Sequence, residues 1–167
     1  MPLLIITGYY FKLSKTSYTF ITAFIVLHVI GSHYTYALVP FGDTLQAWFG
    51  SDRLVHFSFG LLLAYPLFEV FRRLAKVKGA WAYYFPIELV LAFSAAYKII
   101  EWKAATFIDP AAGLAFLGTQ GDIWDAQKDM LLALIGALLA MLITFIVRRH
   151  RPAIHSGDIS PALRGVQ

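Results

Sequence analysis

The chain has 167 residues, of which 59% are hydrophobic and only 14% are charged, and its mean hydropathy is +0.64. Soluble domains carry about 25% charged residues, so this composition excludes a soluble protein and predicts an integral membrane protein in contact with the lipid bilayer. The net charge of +4 comes from basic residues at the ends of apolar segments, where they determine membrane topology, so nucleic acid is excluded as a partner.

The N-terminal half of the chain contains two predicted spans. Residues 1–11 are apolar but too short to cross a bilayer alone, because a spanning helix needs about 20 residues. We expect an interfacial helix or the last part of a longer span there. The first full span is predicted at residues 18–38 and ends before Pro40 and Gly42. The second is predicted at residues 54–71, after a loop with a short amphipathic piece.

The C-terminal half contains two further predicted spans. The third runs from residue 80 or 85 to residue 106, and a glycine-rich loop at residues 109–121 leads to the fourth, at residues 124–147. Residues 152–167 are polar, and we expect them to form a disordered tail. The predicted fold class is therefore all-α, with one membrane-embedded domain over residues 1–151. That domain is a polytopic transmembrane helical bundle of four full spans with a short apolar N-terminal segment.

The basic residues predict the orientation of the spans. If both termini lie on the same side of the membrane, ten of the 14 lysines and arginines fall on that side. They are Lys12, Lys15, Arg72, Arg73, Lys76, Lys78, Arg148, Arg149, Arg151 and Arg164. Positively charged loops favour the cytoplasm, so the N- and C-termini are predicted to be cytoplasmic.

This orientation places the polar side chains of the spans in one layer at their outer ends. The layer consists of His33, Asp52, Arg53, His56, Lys98, Glu101, Asp122, Asp125 and Asp129. Charges at membrane depth persist where they face a protein interior or a water-filled cavity and find partners. Asp122, Asp125 and Asp129 follow one another at i, i+3 and i+7, so a helix would stack their carboxylates on one face. The layer is therefore the candidate functional site.

The first interpretation of this layer is a structural network of ion pairs. Lys98 and Asp52 are the predicted ion-pairing residues, and Lys98 also lies at i, i+3 from Glu101 on one helix. Mutual neutralisation is the ordinary way in which buried charges are tolerated in a bilayer. This interpretation requires no cofactor.

The second interpretation is a catalytic site, because imidazole and carboxylate are ligands for zinc, iron or manganese and also serve as acid and base. The candidate metal ligands are His33, His56 and Asp122. The candidate catalytic carboxylates are Asp125, Asp129 and Glu101. A divalent metal would be the cofactor of a hydrolase or transferase acting on a lipid-linked substrate at the outer leaflet, and Arg53 would orient an anionic headgroup. A third interpretation is a proton or small-solute pathway, for which His28 is a candidate within the first span.

Several short motifs are shared with a known family. They are Gly31-Ser-His-Tyr-Thr-Tyr-Ala37, Asp52-Arg-x-x-His-Phe57, Ile100-Glu-Trp102 and Phe116-Leu-Gly-Thr-Gln-Gly-Asp-x-Trp-Asp-x-Gln-x-Asp-Met130. Together they resemble the YjdF family of bacterial inner-membrane proteins, whose function is unknown and which is in turn similar to the VanZ-like membrane proteins. The resemblance covers residues 18–147 and implies a polytopic helical protein of the bacterial inner membrane.

The chain departs from this family pattern at three places. The family has a glutamate at the position of Lys98, another at the position of Leu38, and further hydrophobic sequence before the position of Met1, so residues 1–11 are expected to be the remainder of a longer span. A lysine repels a metal cation and supplies a charge with which the remaining carboxylates can pair. We therefore predict a non-catalytic accessory subunit that associates with other membrane protein subunits, with the outer-leaflet enzyme as the alternative.

Overall fold

The computed structural model describes residues 12–34, 51–107 and 123–150, and the regular secondary structure within these ranges is entirely α-helix. Four helices follow one another along the chain: α1 (Lys15–His33), α2 (Ser51–Arg73), α3 (Trp81–Phe107) and α4 (Asp125–His150). The predicted all-α fold class is thus confirmed. The predicted polar tail, residues 152–167, lies outside the described ranges.

Three of these helices are long and apolar enough to cross a membrane. They are Asp52–Arg73 within α2, Trp81–Phe107 and Asp125–His150. The 19-residue α1 is not among them, because polar residues such as Lys15, Ser17, Ser32 and His33 occupy its two ends. Residues 35–38, the end of the predicted first span, lie outside the described ranges. Three spans are therefore supported by length and composition, and the predicted count of four is not confirmed.

Helix α2 is the centre of the described bundle. It contacts α1, α3 and α4, and α3 also contacts α4, whereas α1 contacts α2 alone among the described helices. The side chains buried between the helices are mainly small. They are Ala64, Phe68, Ala82, Val90, Ala133, Ala137, Ala140 and Met141. Small side chains allow close packing of helix backbones, and they leave most of the larger apolar side chains on the outside of the bundle.

Two glycines set the separation between α2 and α4. A Cβ atom at Gly60 would overlap the carbonyl group of Ala133 and would lie 2.8 Å from the backbone nitrogen of Ala137. A Cβ atom at Gly136 would likewise overlap the carbonyl oxygen of Phe57. Because these neighbours are backbone atoms, the two parallel helices pack at a distance that depends on glycine at both positions.

Glu69 anchors the start of α1 to the last turns of α2. Its carboxylate accepts hydrogen bonds from the backbone nitrogen of Ser14 at 3.0 and 2.9 Å, from the Ser14 hydroxyl at 2.9 Å and from the Ser17 hydroxyl, and it pairs with Arg73. The Glu69 side chain is only 5% exposed. Since a helix rises about 1.5 Å per residue, this anchor lies roughly 25 Å along α2 from Asp52, and it fixes α1 at the opposite end of the bundle.

Candidate functional site

Lys98 lies at the centre of a buried group of charges near the first turns of α2 and α4. Its ammonium nitrogen Nζ is 2.6 Å from Oδ2 of Asp129 and 3.0 Å from Oε2 of Glu101. It is also 3.8 Å from Oδ2 of Asp52 and 3.8 Å from Oδ2 of Asp125. Because Asp52 belongs to α2, Glu101 to α3, and the two other aspartates to α4, one ammonium group contacts carboxylates from three helices.

His56 lies beside the same carboxylates. Its Nε2 atom is 3.5 Å from Oδ1 of Asp52, one turn earlier on α2, and 3.5 Å from Oδ2 of Asp129 on α4. These separations exceed the usual hydrogen-bond length, so the imidazole lies between the two carboxylates without a short bond to either. We refer to Lys98, His56, Asp52, Glu101, Asp125 and Asp129 as the Lys98 cluster.

The members of the Lys98 cluster differ in their access to the outside. Asp129 is fully buried, whereas 25% of the Asp52 side chain is exposed. The other four members are buried. Removing an ion from water costs several kcal/mol of free energy, which contacts with opposite charges must offset. The cluster is therefore stable only as a set of mutually paired groups, with Asp52 as its accessible edge.

Negative charge exceeds positive charge in the Lys98 cluster. Four carboxylates face the single ammonium group of Lys98, and the guanidinium of Arg53 also acts electrostatically on Asp129. With His56 neutral and the carboxylates ionised, two negative charges remain uncompensated by these cations. Oδ1 of Asp129 is buried and has no hydrogen-bond partner among the described residues. The arrangement therefore attracts cationic groups and hydrogen-bond donors, and it repels anions.

A cavity of about 390 Å³ adjoins the Lys98 cluster between α1, α2 and α3. Asp52 and His56 form its wall on the side of the cluster, and Ser94 and Tyr97 extend this polar wall along α3. The other lining residues are Phe24, His28, Val55, Phe59, Phe93, Ala96 and Ile100. The volume is typical of small-molecule sites, which measure about 300–1,000 Å³. The cavity combines one polar side with a long apolar surface.

The structure brings together most of the residues that the sequence placed in the outer polar layer. They are the candidate catalytic carboxylates Asp125, Asp129 and Glu101 and the predicted ion-pairing residues Lys98 and Asp52. Arg53, the candidate headgroup ligand, is partly buried in the first turn of α2 beside them. The convergence of charges at one end of α2, α3 and α4 follows the prediction, while the roles of the individual residues stay predictions.

The predicted metal ligands are distributed differently. His56 belongs to the Lys98 cluster, His33 is exposed at the end of α1, and Asp122 lies outside the described residues. Another set of possible ligands has its donor atoms within 4.8 Å of one another: Asp52, His56 and Asp129. One imidazole and two carboxylates suit a divalent cation by type, but the ammonium group of Lys98 already contacts Oδ2 of Asp129 and competes for that oxygen.

Ser94 and Tyr97 are site residues that the sequence did not single out. Ser94 is 2% exposed, and its Oγ atom has no hydrogen-bond partner among the described residues. The ring of Tyr97 lies 6.2 Å from that of His56, measured between centroids. Ser94 precedes Lys98 by four residues, a spacing that places both on the same helix face. This spacing could have indicated that Ser94 lies near Lys98. The cavity could not be predicted from the sequence of α3, because residues of α1 form part of its wall.

The chain is similar to known membrane proteins along nearly its whole length. Residues 1–150 match the family described as "Predicted membrane protein (DUF2238)". The inner membrane protein YjdF of Escherichia coli (strain K12) is 40% identical over 156 residues, which cover 90% of this chain and 73% of that protein. No solved structure matches significantly. The resemblance predicted from the motifs is therefore confirmed, and with it a multi-pass membrane location.

Proposed function

This chain belongs to the DUF2238 family of predicted membrane proteins, and on that premise we propose that it is a non-catalytic accessory subunit of the inner membrane. In this proposal the Lys98 cluster is a structural ion network that fixes α2, α3 and α4 relative to one another. The observation that supports it best is the position of Lys98 Nζ, at most 3.8 Å from carboxylates on all three helices.

The physical basis is the dependence of buried charges on one another. Removing one partner of a buried ion pair typically costs about 3–5 kcal/mol, because the other charge stays buried without compensation. Small residues line the contact between α2 and α4 and leave few bulky side chains to set the relative rotation of the helices. Ionic contacts with defined atoms supply that specificity, since displacement of a helix by one residue would separate Lys98 from Asp129.

The accessory role is supported by the apolar surfaces that the described helices present outward. Val29 on α1 is 58% exposed, Ile100 on α3 is 64% exposed and Leu142 on α4 is 55% exposed. Helix α1 contacts α2 alone among the described helices, so its other sides carry no contact with a described helix. In a bilayer such faces contact lipid or the helices of another subunit.

We place the Lys98 cluster on the periplasmic side and both chain termini in the cytoplasm. Arg72 and Arg73 end α2, and Arg148 and Arg149 lie in the last turn of α4. Both helices therefore carry positive charge at the end opposite to the Lys98 cluster. Positively charged segment ends are retained in the cytoplasm, which supports this orientation.

Extraction of the full chain from its native membrane in a mild nonionic detergent tests the accessory role. Native mass spectrometry of the affinity-purified sample is expected to show a complex of fixed stoichiometry with other membrane proteins. A stable, monodisperse monomer obtained under conditions that preserve a known inner-membrane complex would contradict an accessory role.

The cavity favours a second candidate function, a membrane-embedded hydrolase or transferase acting on a lipid-linked substrate. His56 and Asp52 border both the Lys98 cluster and the cavity, so an imidazole and a carboxylate are available to exchange protons with a bound molecule. In this candidate Asp125, Asp129 and Glu101 would adjust the charge around His56, and Arg53 would orient the substrate headgroup.

Incubation of the purified protein with total inner-membrane lipid extract tests the second candidate. New products detected by mass spectrometry, formed by the wild type and lost in His56→Gln, would support an enzyme. His150→Gln is the matched control, because His150 lies exposed at the end of α4, away from the Lys98 cluster. Absence of any product, with or without added zinc or manganese, would argue for the structural role.

A further inference from the structure

We propose that the cavity between α1, α2 and α3 binds an amphipathic primary amine, with its ammonium group at Asp52 and Ser94 and its alkyl chain against the apolar wall. This inference goes beyond the accessory role and does not depend on it. The same chemistry is found in a membrane lipid with a free amino group and in a free alkylamine.

The charge of the cavity wall selects for a cation. Asp52 is the carboxylate of the Lys98 cluster that lines the cavity, and it is also the member with the greatest side-chain exposure, 25%. No lysine or arginine is among the described residues that line the cavity. Lys98 Nζ lies 3.8 Å from Oδ2 of Asp52 and 2.6 Å from Oδ2 of Asp129, so Lys98 pairs less tightly with Asp52 than with Asp129. An anionic headgroup would be repelled from the same wall.

Ser94 provides an independent indication of a polar ligand. Its Oγ atom is buried and has no hydrogen-bond partner among the described residues, although it lines the cavity. A buried hydroxyl without a partner costs about 1–3 kcal/mol, and an ammonium group in the cavity would donate a hydrogen bond to it. An ammonium group has three donors and no acceptor, which matches a wall that offers a carboxylate and a hydroxyl oxygen.

The rest of the cavity fits an alkyl chain. Phe24 of α1, Phe59 of α2, and Phe93 of α3 line it from three sides, and Val55 and Ile100 add further apolar surface. Among the described residues α1 and α3 make no contact with each other, and the cavity lies between these two helices and α2.

Calorimetric titration of the full chain in nonionic detergent tests the proposal with three probes that share one chain length: decylamine, decanol and decanoate. Protein-free micelles provide the reference for partitioning. Saturable binding of decylamine is expected, with decanol about tenfold weaker, the effect of losing one charge-assisted contact, and with no saturable binding of decanoate. Equal affinity for the three probes would overturn the proposal, because it would indicate nonspecific apolar partitioning.

Three variants test whether decylamine binds in the cavity. Asp52→Asn is expected to weaken decylamine binding about tenfold and to leave decanol unaffected. Ser94→Leu fills the cavity and should abolish binding of both probes. Ala92→Leu is the matched control, because Ala92 lies two residues away on the exposed face of α3. Circular dichroism verifies that each variant is folded. If Asp52→Asn is unstable, the decylamine affinity of Ser94→Leu tests whether the amine binds in the cavity.

Native mass spectrometry from lipid nanodiscs distinguishes the two sources of the amine. Retention of an ethanolamine phospholipid, but not of a choline phospholipid, by the wild type and its loss in Ser94→Leu would identify the bilayer as the source. Binding of decylamine without retention of either lipid would identify a free alkylamine. Unchanged decylamine binding in Ser94→Leu would overturn the proposal for either source.

Discussion

The Nζ atom of Lys98 on α3 lies 2.6 Å from Oδ2 of Asp129 on α4, and the Asp129 side chain is completely buried. Both charges are withdrawn from water, so each depends on the other for compensation. Outside the Lys98 cluster, the buried residues of these two helices are mostly small or apolar. The stability of the bundle is therefore expected to depend on these two residues far more than on exposed charges.

Loss of the ammonium group should destabilise the protein strongly. Lys98→Met leaves the four carboxylates of the Lys98 cluster without their central cation, and we expect the free energy of unfolding to fall by about 3–5 kcal/mol. Denaturant titration in detergent micelles measures the change. Lys103→Met, at an exposed position on the same helix, is the control and should change the stability by less than about 1 kcal/mol. Equal effects of the two substitutions would count against a structural role of Lys98.

Enlargement of a glycine between α2 and α4 should separate these helices. In Gly136→Val the new side chain meets the carbonyl oxygen of Phe57 and the backbone nitrogen of Leu61, which cannot rotate away. We expect a loss of about 1–3 kcal/mol or more, measured by the same titration. Ala92→Val, on the exposed face of α3, is the control. A Gly136→Val protein as stable as this control would show that the two helices do not pack as closely as described.

Removal of the charge on Glu69 should release the start of α1. Glu69→Gln weakens the bonds from the backbone and hydroxyl of Ser14, the bond from Ser17 and the ion pair with Arg73. Hydrogen bonds to a charged group contribute about 1.5–3 kcal/mol. Hydrogen exchange at the amide of Ser14 should therefore accelerate by at least about tenfold. Glu88→Gln, at an exposed position on α3, should leave this exchange rate unchanged.

The proposed orientation can be tested with single cysteines, because the natural chain contains none. Lys76→Cys, between α2 and α3, should resist a membrane-impermeant maleimide in intact cells and react after lysis. Lys103→Cys, near the end of α3 that carries the Lys98 cluster, should react in intact cells. The opposite labelling pattern would show that the chain is inserted the other way round.

The convergence of the buried charges and the all-helical fold can both be predicted from the sequence. Lys98, Asp125 and Asp129 lie in otherwise apolar helices, and intramembrane charges must face one another because lipid offers no partners. Their convergence could therefore be predicted from their position along the spans. The all-helical fold follows from the same constraint, since an apolar chain segment in lipid must satisfy its own backbone hydrogen bonds.

The rotation of each helix could not be predicted in the same way. The sequence predicts His33 beside His56, because both lie at the outer ends of predicted spans. In the structure His33 is exposed on α1, and among the described helices α1 contacts α2 alone. The sequence does not distinguish Ser94 as a site residue, because a serine in a membrane helix ordinarily bonds to its own backbone. Ser94 lies in a cavity wall because α1, α2 and α3 pack with a space between them. The sequence of one helix does not predict that packing.

A double-mutant cycle between Lys98 and Asp129 measures the role of the Lys98 cluster most directly. The unfolding free energies of the wild type, Lys98→Met, Asp129→Asn and the double variant are compared in one detergent. We expect the double variant to lose less stability than the sum of the single losses, with a coupling free energy of about 0.5–3 kcal/mol. Additive losses, with no coupling between the two positions, would contradict a structural ion network centred on Lys98.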